Sequence, residues 1–198
     1  LIKGDHVMKG NYKNEEATKE TIIDNWLHTG DVGKIDIDGY LYITGRIKEI
    51  YVSSGGKNIA PLVIEETMKS IPLVSQCFLI GDKRKYCSAL LTLDVGAILR
   101  DKLMVETLKI PKNPLEQIKM LEAMGKELAD YTNNESVRKE IEERVEELNQ
   151  KFSNPEQIKK FFILPRDFSI DFGELTPTLK IRRKQITKNW SKEIESMY

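Results

Sequence analysis

Hydrophobic and polar residues alternate on both sides of the dipeptide Asp38-Gly39. Residues 34–37 (KIDI) and 40–43 (YLYI) each follow a period of two. An Asp-Gly pair between two alternating segments is typical of a tight β-hairpin turn, so the pattern predicts a hairpin centred on these two residues.

The segments next to the hairpin predict one helix and one further strand. Residues 11–27 (NYKNEEATKETIIDNWL) are typical of a short helix, in which Asn14 is the N-cap and Glu15 and Glu16 occupy the first turn. After the hairpin, residues 47–53 predict a third strand. In that strand Lys48 would face the same side as Arg46.

The rest of the chain predicts a small α+β domain behind this β-rich entry segment. The expected elements are a loop at 53–58, a helix from Pro61 to about Ser70, strands at 75–80 and 88–93, a helix-rich charged segment at about 95–160, a strand at 161–165 and a helix from about Lys184 to Met197. Within the helix-rich segment, Ile141, Val145, Leu148 and Phe152 lie at helical spacing. They predict an amphipathic helix that lies on its own domain.

Composition narrows the classes of protein. The chain has 198 residues with 31 basic and 31 acidic side chains, so its net charge of zero gives no reason to expect a nucleic-acid partner. Cys77 and Cys87 lie in apolar runs and are expected to be buried, reduced thiols, which fits a reducing, cytoplasmic location. His6 and His28 are the only histidines, and their spacing predicts no metal site. The chain begins with Leu1 rather than Met, and we expect it to be a piece of a longer polypeptide.

Three charged residues border the predicted hairpin. Asp31 follows Thr29-Gly30, and it is either a turn residue or a carboxylate that accepts hydrogen bonds from a vicinal diol such as a ribose. Arg46 alone would be a surface arginine. With Lys48 on the same face, however, the two cations would repel each other unless an anion lies between them or one side chain rotates away.

Two later segments also carry candidate chemistry. Gly55-Gly56, followed by Lys57, is either a plain loop or a place where the backbone approaches a ligand closely. Lys180 lies behind Pro177 in the segment PTLKIRR, as part of a basic helix entry or as an ammonium group aimed at a phosphate or carboxylate oxygen.

The order of these motifs resembles the closing part of the adenylate-forming acyl-CoA synthetase and luciferase superfamily. The segments on which the resemblance rests are WLHTGD, GYLYITGRIKEI, SSGGKNIAPLVIEE and LTPTLKIRR. The sequences of these segments are most similar to those of long-chain fatty acyl-CoA synthetases of the bubblegum-like branch. The resemblance covers about residues 5–93 and 160–196. One departure is Thr178-Leu179-Lys180, where many relatives have Ser-Gly-Lys.

The resemblance implies an organisation for the chain. Residues 1–47 would be the end of a large N-terminal adenylation domain that is otherwise absent here, Lys48 would be a hinge, and 49–198 would be the small C-terminal domain with a helical insertion at about 95–160.

The resemblance also implies roles for individual residues. Asp31 and Arg46 would bind the nucleotide, Lys180 would serve the adenylation step, and Gly55, Gly56 and Lys57 would line the path of coenzyme A. The implied substrates are a fatty acid, ATP with Mg²⁺ and coenzyme A. Peripheral association of the full-length enzyme with membranes stays open.

Two alternatives remain at this point. One is a non-catalytic interaction module that binds through the helices at about 95–160. The other is an enzyme that adenylates an aryl or amino acid.

Overall fold

The computed structural model describes residues 1–53 and 55–198. They divide into two compact units, Leu1–Ile50 and Tyr51–Tyr198, which we call the first and second units. Lys48 lies close to this division.

The first unit opens with a helix that is shorter than predicted. Helix α1 spans Glu15–Thr21, and the side chain of Asn14 caps it by accepting from the backbone N–H of Ala17 at 3.0 Å. The prediction of helix up to Leu27 is wrong, because strands β1 (Ile22–Ile23) and β2 (Trp26–Leu27) follow directly. Between them, Asp24 and Asn25 adopt φ of 50° and 63°, a left-handed conformation that reverses the chain.

The predicted hairpin is confirmed, with strands that extend further from the turn. Strands β3 (Asp31–Ile35) and β4 (Leu41–Arg46) pair antiparallel. The side chain of Asp36 accepts from the N–H groups of Asp38 and Tyr40, and Gly39 adopts φ of 88°. Only glycine adopts such a conformation without strain, which explains the Asp-Gly signal.

The third predicted strand is wrong in its first half. Ile47–Glu49 form a 3₁₀ turn, and the N–H of Ile50 donates to the carbonyl of Arg46 at 3.1 Å. Strand β5 begins only at Tyr51 and pairs with β6, so that the two short strands span Tyr51–Val52 and Asn58–Ile59. Lys48 therefore does not continue the strand face of Arg46, contrary to the prediction.

The second unit continues with the predicted helix and strand pair. Helix α2 spans Pro61–Met68, with Pro61 in the first turn. N–H groups in the first turn make no hydrogen bond within the helix, so proline costs none there. Strands β7 and β8 span Val74–Ile80 and Cys87–Leu93.

A helical connection, residues 94–157, leads from β8 to the last strand. It contains α3 (Val95–Ala97), a π-helical turn (Ile98–Lys102), a 3₁₀ turn (Thr107–Lys109), α4 (Pro114–Ala123), α5 (Ala129–Thr132), α6 (Glu135–Asn149) and a 3₁₀ turn (Asn154–Glu156). Strand β9 then spans Ile158–Ile163, which is earlier than the predicted 161–165. The predicted helix-rich character is confirmed. Ile141, Val145 and Leu148 of α6 are buried in the protein's own core.

Strands β7, β8 and β9 form a mixed sheet that is covered on both faces. The order is β7-β8-β9, with β8 antiparallel to β7 and parallel to β9. Along β8, Ala89, Leu91 and Leu93 join the cluster that contains α2 and α6, whereas Leu90 joins the cluster of the C-terminal helices. Successive residues of a strand point to opposite faces, so the two clusters lie on opposite sides of the sheet.

The C-terminal helix is broken into two. Helices α7 and α8 span Arg183–Asn189 and Ser191–Ser196, with Trp190 between them in a non-helical conformation. Together with the helical connection they complete the predicted α+β fold. Cys77 and Cys87 are free and buried, as expected. Among the described residues, no helix is both long and apolar enough to cross a bilayer.

Removal of a buried leucine from either face of β8 should destabilise the protein. Leu90 and Leu91 are both 0% exposed, and Leu→Ala at each should cost about 2–5 kcal/mol of unfolding free energy. Leu108→Ala is the control, because Leu108 is 100% exposed. Urea denaturation followed by circular dichroism measures the three variants. If all three midpoints stay at the wild-type value, β8 is not the centre of a two-sided core.

Candidate functional site

In the first unit, the hairpin brings Asp31 and Arg46 together at the mouth of a cleft. The two residues are paired across β3 and β4, and Nε of Arg46 lies 3.4 Å from Oδ1 of Asp31. The cleft beside them has a volume of about 710 Å³, and His28, Lys48 and Glu49 also line it. A carboxylate can accept on both oxygens, so this arrangement leaves acceptor capacity at Asp31 for a ligand hydroxyl.

Lys48 also borders this cleft, but it lies in a 3₁₀ turn and not in the strand that the sequence predicted. The 3₁₀ turn at Ile47–Glu49 carries it there, and the N–H of Ile47 donates to the carbonyl of Gly30 at 2.8 Å. This bond ties the residue next to Lys48 to the residue next to Asp31. The predicted repulsion between Arg46 and Lys48 is offset because Arg46 already pairs with an anion.

In the second unit, Gly55 and Gly56 belong to the turn that joins β5 and β6, which we call the glycine turn. The N–H of Ser53 donates to the carbonyl of Lys57, and the N–H of Gly56 donates to the carbonyl of Ser53, both at 2.9 Å. Gly56 adopts φ of 80° and a Cβ there would meet nothing within 4 Å, so this part of the turn is open and needs glycine for its conformation. Ser54, predicted in the same loop, lies outside the described residues.

Lys57 is turned towards the helical connection. Its Nζ lies 3.0 Å from Oε2 of Glu156 and also hydrogen-bonds Oγ of Ser153. Burial, which favours the neutral acid, is overcome at Glu156 by hydrogen bonds from Ser153 and Lys57, and its pKa is lowered. Lys57 thus fixes the turn to the chain before β9.

A recess of about 250 Å³ with a basic rim lies beside the glycine turn. It is lined by Gly55 and Cys87 together with Arg84, Lys85 and Lys159. Sequence reasoning identified residues 81–85 only as a polar turn; the available signal was the basic run KRK at 83–85. Burial raises the pKa of the Cys87 thiol to about 11, so the thiol stays neutral near pH 7.

Lys180 lies at the tip of a second hairpin, which we call the lysine loop and define as residues 174–182. A bridge between Leu175 and Ile181 forms its stem. Above it, the N–H of Thr176 donates to the carbonyl of Lys180 at 2.9 Å, and the N–H of Lys180 donates to Oγ1 of Thr176 at 3.0 Å. The Lys180 side chain is exposed, and its backbone is held on both sides.

Leu179 adopts φ of 60° in this loop, a conformation that favours glycine. Its N–H donates to the carbonyl of Thr176 at 2.8 Å, which closes a turn over Pro177 and Thr178. Many relatives in the family that the chain resembles have Gly at this position, where this chain has Leu. The loop therefore keeps a shape suited to glycine and accepts backbone strain at Leu179.

The glycine turn and the lysine loop are attached to opposite layers of the sheet. Ile59 and α2, which follow the glycine turn, pack in the cluster that contains α6. Leu175, Ile181 and α7 belong to the cluster of the C-terminal helices. An ion pair joins the layers: Nη2 of Arg183 bonds Oε2 of the buried Glu65, whose Oε1 accepts from the N–H of Leu79 at 2.8 Å. Each loop thus has its own supporting layer.

Comparison with known proteins identifies the class of domain. Residues 48–111 and 116–198 match the sequence profile of the AMP-binding enzyme C-terminal domain. The chain therefore belongs to the AMP-binding enzyme C-terminal domain family.

Individual relatives are fatty-acid–CoA ligases. The chain is 39% identical over 198 residues to the long-chain-fatty-acid–CoA ligase FadD15 of Mycobacterium tuberculosis, and all of the chain aligns with 30% of that protein. It is 38% identical over 200 residues to the long-chain-fatty-acid–CoA ligase ACSBG2 of Mus musculus, with 98% of this chain and 30% of that protein covered. The chain thus spans under a third of the length of these relatives.

Solved structures agree on the fold. The adenylation domain of the carboxylic acid reductase from Segniliparus rugosus, in complex with AMP and a co-purified carboxylic acid, matches 100% of this chain with a TM-score of 0.70 at 22% identity, over 27% of its own length. The anthranilate–CoA ligase AuaEII in complex with anthranoyl-AMP matches 94% of the chain and 28% of its own length, with a TM-score of 0.62 at 19% identity.

Replacement of Leu179 by glycine should relieve strain in the lysine loop. A left-handed conformation costs a non-glycine residue about 1–2 kcal/mol, and glycine costs about 0.5–1 kcal/mol in unfolded-state entropy. Because the Leu179 side chain is 69% exposed, little packing is lost. We expect Leu179→Gly to preserve or raise the free energy of unfolding.

The matched variant is Leu179→Val, which should lower stability because a β-branched side chain tolerates positive φ least. Thermal and urea unfolding of both variants give the comparison. Greater stability of the valine variant would contradict the positive φ of this residue.

Proposed function

We propose that this chain is the C-terminal part of a long-chain fatty-acid–CoA ligase. The observation that carries the proposal is its 39% identity, along its whole length, to a long-chain-fatty-acid–CoA ligase. The geometry supports it, because the carboxylate of Asp31 borders a cleft, Lys180 is exposed at the tip of a hairpin, and the turn at Gly56 is open.

The proposed reaction has two steps. A carboxylate oxygen of the fatty acid attacks the α-phosphorus of ATP, which forms the acyl-adenylate and releases pyrophosphate. The thiolate of coenzyme A then attacks the acyl carbon, which forms the thioester and releases AMP. The first step brings two anions together, so it needs positive charge placed in advance where negative charge develops.

Asp31 and Arg46 would hold the nucleotide in both steps. The free acceptor capacity of Asp31 suits the two hydroxyls of a ribose, and charge-assisted hydrogen bonds of this kind are among the stronger ones in proteins. Arg46, already 3.4 Å from Asp31, would keep that carboxylate oriented and would assist at the ribose and phosphate side.

Lys180 would serve the first step. Its exposed ammonium group, presented by a hairpin with a fixed tip, can approach a phosphate or carboxylate oxygen as a compact point charge. In the second step we assign no task to the lysine loop, because the glycine turn would be presented to the acyl-adenylate instead.

The glycine turn would serve the second step. The absence of side chains at Gly55 and Gly56 leaves room for an extended pantetheine arm, and the recess lined by Arg84, Lys85 and Lys159 offers cations for the phosphates of coenzyme A. Lys57, bound to Glu156, would hold the turn in place rather than contact the ligand directly.

A change of domain orientation would present the two loops in turn. They are supported by opposite layers of the sheet, so one rigid orientation does not suit both steps equally. We assign the pivot to Lys48, which lies in the 3₁₀ turn close to the division between the units. Movement of this kind is a gating role, like that of a lid.

Other parts of the active site would come from the rest of the polypeptide. Among the residues that the structure describes, no group of three or more His, Cys, Asp or Glu side chains is placed to hold a metal ion. We propose that Mg²⁺ enters with the ATP phosphates, and no step is assigned to a metal ligand of this chain.

Asp31→Ala in the complete polypeptide should raise the KM for ATP. Each lost charge-assisted hydrogen bond is worth about 1.5–3 kcal/mol, so an increase of roughly tenfold or more is expected. Asp38→Ala is the matched control, because Asp38 is an exposed carboxylate in the turn of the same hairpin. Initial rates of pyrophosphate release over a range of ATP concentrations give the answer. An unchanged KM would reduce Asp31 to a turn residue.

Lys180→Ala and Gly55→Leu should separate the two half-reactions. Lys180→Ala should slow acyl-adenylate formation by about 10²–10³-fold, as the loss of other electrostatic stabilisers does. Transfer from supplied acyl-adenylate to coenzyme A should be nearly intact. Gly55→Leu should do the opposite. It is better suited than a change at Gly56, because its φ is not in the left-handed range and a Cβ there meets only Oγ of Ser53 at 3.9 Å.

Single-turnover measurements of each half-reaction with a long-chain fatty acid test this prediction, with Lys184→Ala as the control for loss of an exposed lysine. If both substitutions slow both steps equally, the two-loop assignment is wrong. If the wild-type enzyme activates aryl or amino acids in preference to fatty acids, the proposed substrate class is wrong.

A further inference from the structure

The stem of the lysine loop contains a buried carboxylate with an unusually complete set of donors. Glu174 is 0% exposed. Its two oxygens accept from Nη1 and Nη2 of Arg166 at 2.7 and 2.9 Å, Nε1 of Trp190 at 2.8 Å, Nδ2 of Asn189 at 3.1 Å and the N–H of Ser169 at 3.2 Å. A buried charge is tolerated only when it is paired and hydrogen-bonded in this way.

The donors come from both sides of the lysine loop in sequence. Arg166 and Ser169 precede the loop, whereas Asn189 and Trp190 lie at the junction of α7 and α8. Arg166 also lies over the ring of Phe172 at 3.8 Å and that of Trp190 at 4.8 Å. A bidentate guanidinium held against aromatic rings has little freedom to move, so Glu174 is fixed to the body of the second unit.

From Glu174, a ladder of backbone hydrogen bonds leads to Lys180. The carbonyl of Glu174 accepts from the N–H of Arg182 at 2.8 Å. The Leu175–Ile181 bridge comes next, followed by the bond from the N–H of Thr176 to the carbonyl of Lys180 at 2.9 Å. The position of Glu174 at the base of the stem therefore determines the orientation of the hairpin tip.

We propose that Glu174 is the positioning residue of Lys180, and that it keeps the lysine loop oriented for acyl-adenylate formation without touching the substrate. The inference rests on the proposed function for the step that it serves. Such a device is needed because Lys180 is exposed and its own side chain is flexible, whereas a misplacement of about 1 Å at a reacting centre can cost about 10² in rate.

Burial alone opposes ionisation of Glu174, but the hydrogen bonds from Arg166, Asn189 and Ser169 outweigh it and the pKa of Glu174 is lowered. The group thus remains an anion at neutral pH. An amide in its place would turn an NH₂ group towards donors, so Glu174→Gln removes the anchor with almost no change in volume.

The decisive comparison is Glu174→Gln against Asp167→Asn in the complete polypeptide. Asp167 is also a carboxylate with several hydrogen bonds, from Ser75, Thr92 and the N–H of Phe168. Its side chain, however, is bonded to the sheet and not to the lysine loop. Both variants lose hydrogen bonds to a carboxylate, and only one loses the anchor of Lys180.

Two measurements are made on each variant. In single-turnover assays, Glu174→Gln should slow acyl-adenylate formation by about 10²-fold and leave transfer to coenzyme A from supplied acyl-adenylate at the wild-type rate. In hydrogen-exchange mass spectrometry, the amides of Leu179, Lys180 and Arg182 should exchange faster in this variant only. Asp167→Asn should change neither the ratio of the two half-reactions nor the exchange of these amides.

Milder variants keep the test valid if Glu174→Gln does not fold. Arg166→Lys preserves the charge but loses the two-pronged hydrogen bond, and Trp190→Phe removes one donor while it preserves most of the ring. Both should show the same selective loss to a smaller degree, whereas equal slowing of both half-reactions, or unchanged exchange in the lysine loop, would overturn the inference.

Failure of the adenylation reaction on which this inference rests gives a different result. In that case the wild-type protein forms no adenylate from any carboxylic acid. The exchange comparison then decides by itself whether Glu174 holds Lys180 in place.

Discussion

Burial of β8 on both faces is the constraint on which the second unit depends. All seven residues of Cys87–Leu93 are buried, so both sides of the strand must be covered by other parts of the chain. The α2 and α6 helices cover one side and the C-terminal helices cover the other. Because the glycine turn leads into the first layer and the lysine loop into the second, the same requirement that stabilises the sheet also separates the two candidate functional loops.

Features determined by neighbouring residues were predictable from the sequence. The Asp38-Gly39 turn, the Asn14 cap and the buried face of α6 each depend on a short pattern, and the structure confirms all three. The errors arise where one backbone conformation or bond overrides a pattern. The extended backbone of Ile22 ends α1 after Thr21, and a 3₁₀ turn at Ile47–Glu49 replaces the first half of an apparent strand. Alternation of side chains does not report either event.

In the candidate site, too, some residues were predictable from the sequence and others were not. Asp31, Arg46 and Lys180 were identified because their motifs occur in a characteristic order, and strand register then explains why the first two meet. The residues that support them were missed. Arg84 contributes to a basic recess only because distant segments meet there, and Glu174 attracts no notice as one acidic residue in a charged chain. Its importance comes from partners that the sequence does not place beside it.

The parallel pairing of β8 with β9 has a consequence for the order of folding. Strands β7 and β8 are joined by a short turn and can pair as soon as both are synthesised, whereas β9 becomes available only after residues 94–157. Closure of such a long connection carries an entropic cost that must be met before the sheet gains its third strand. Until then one edge of β8 has no partner strand, and its face towards the C-terminal helices has no cover. The helical connection must therefore fold before the sheet is complete. Its rate of folding sets how long a nascent chain exposes the unpaired edge of β8.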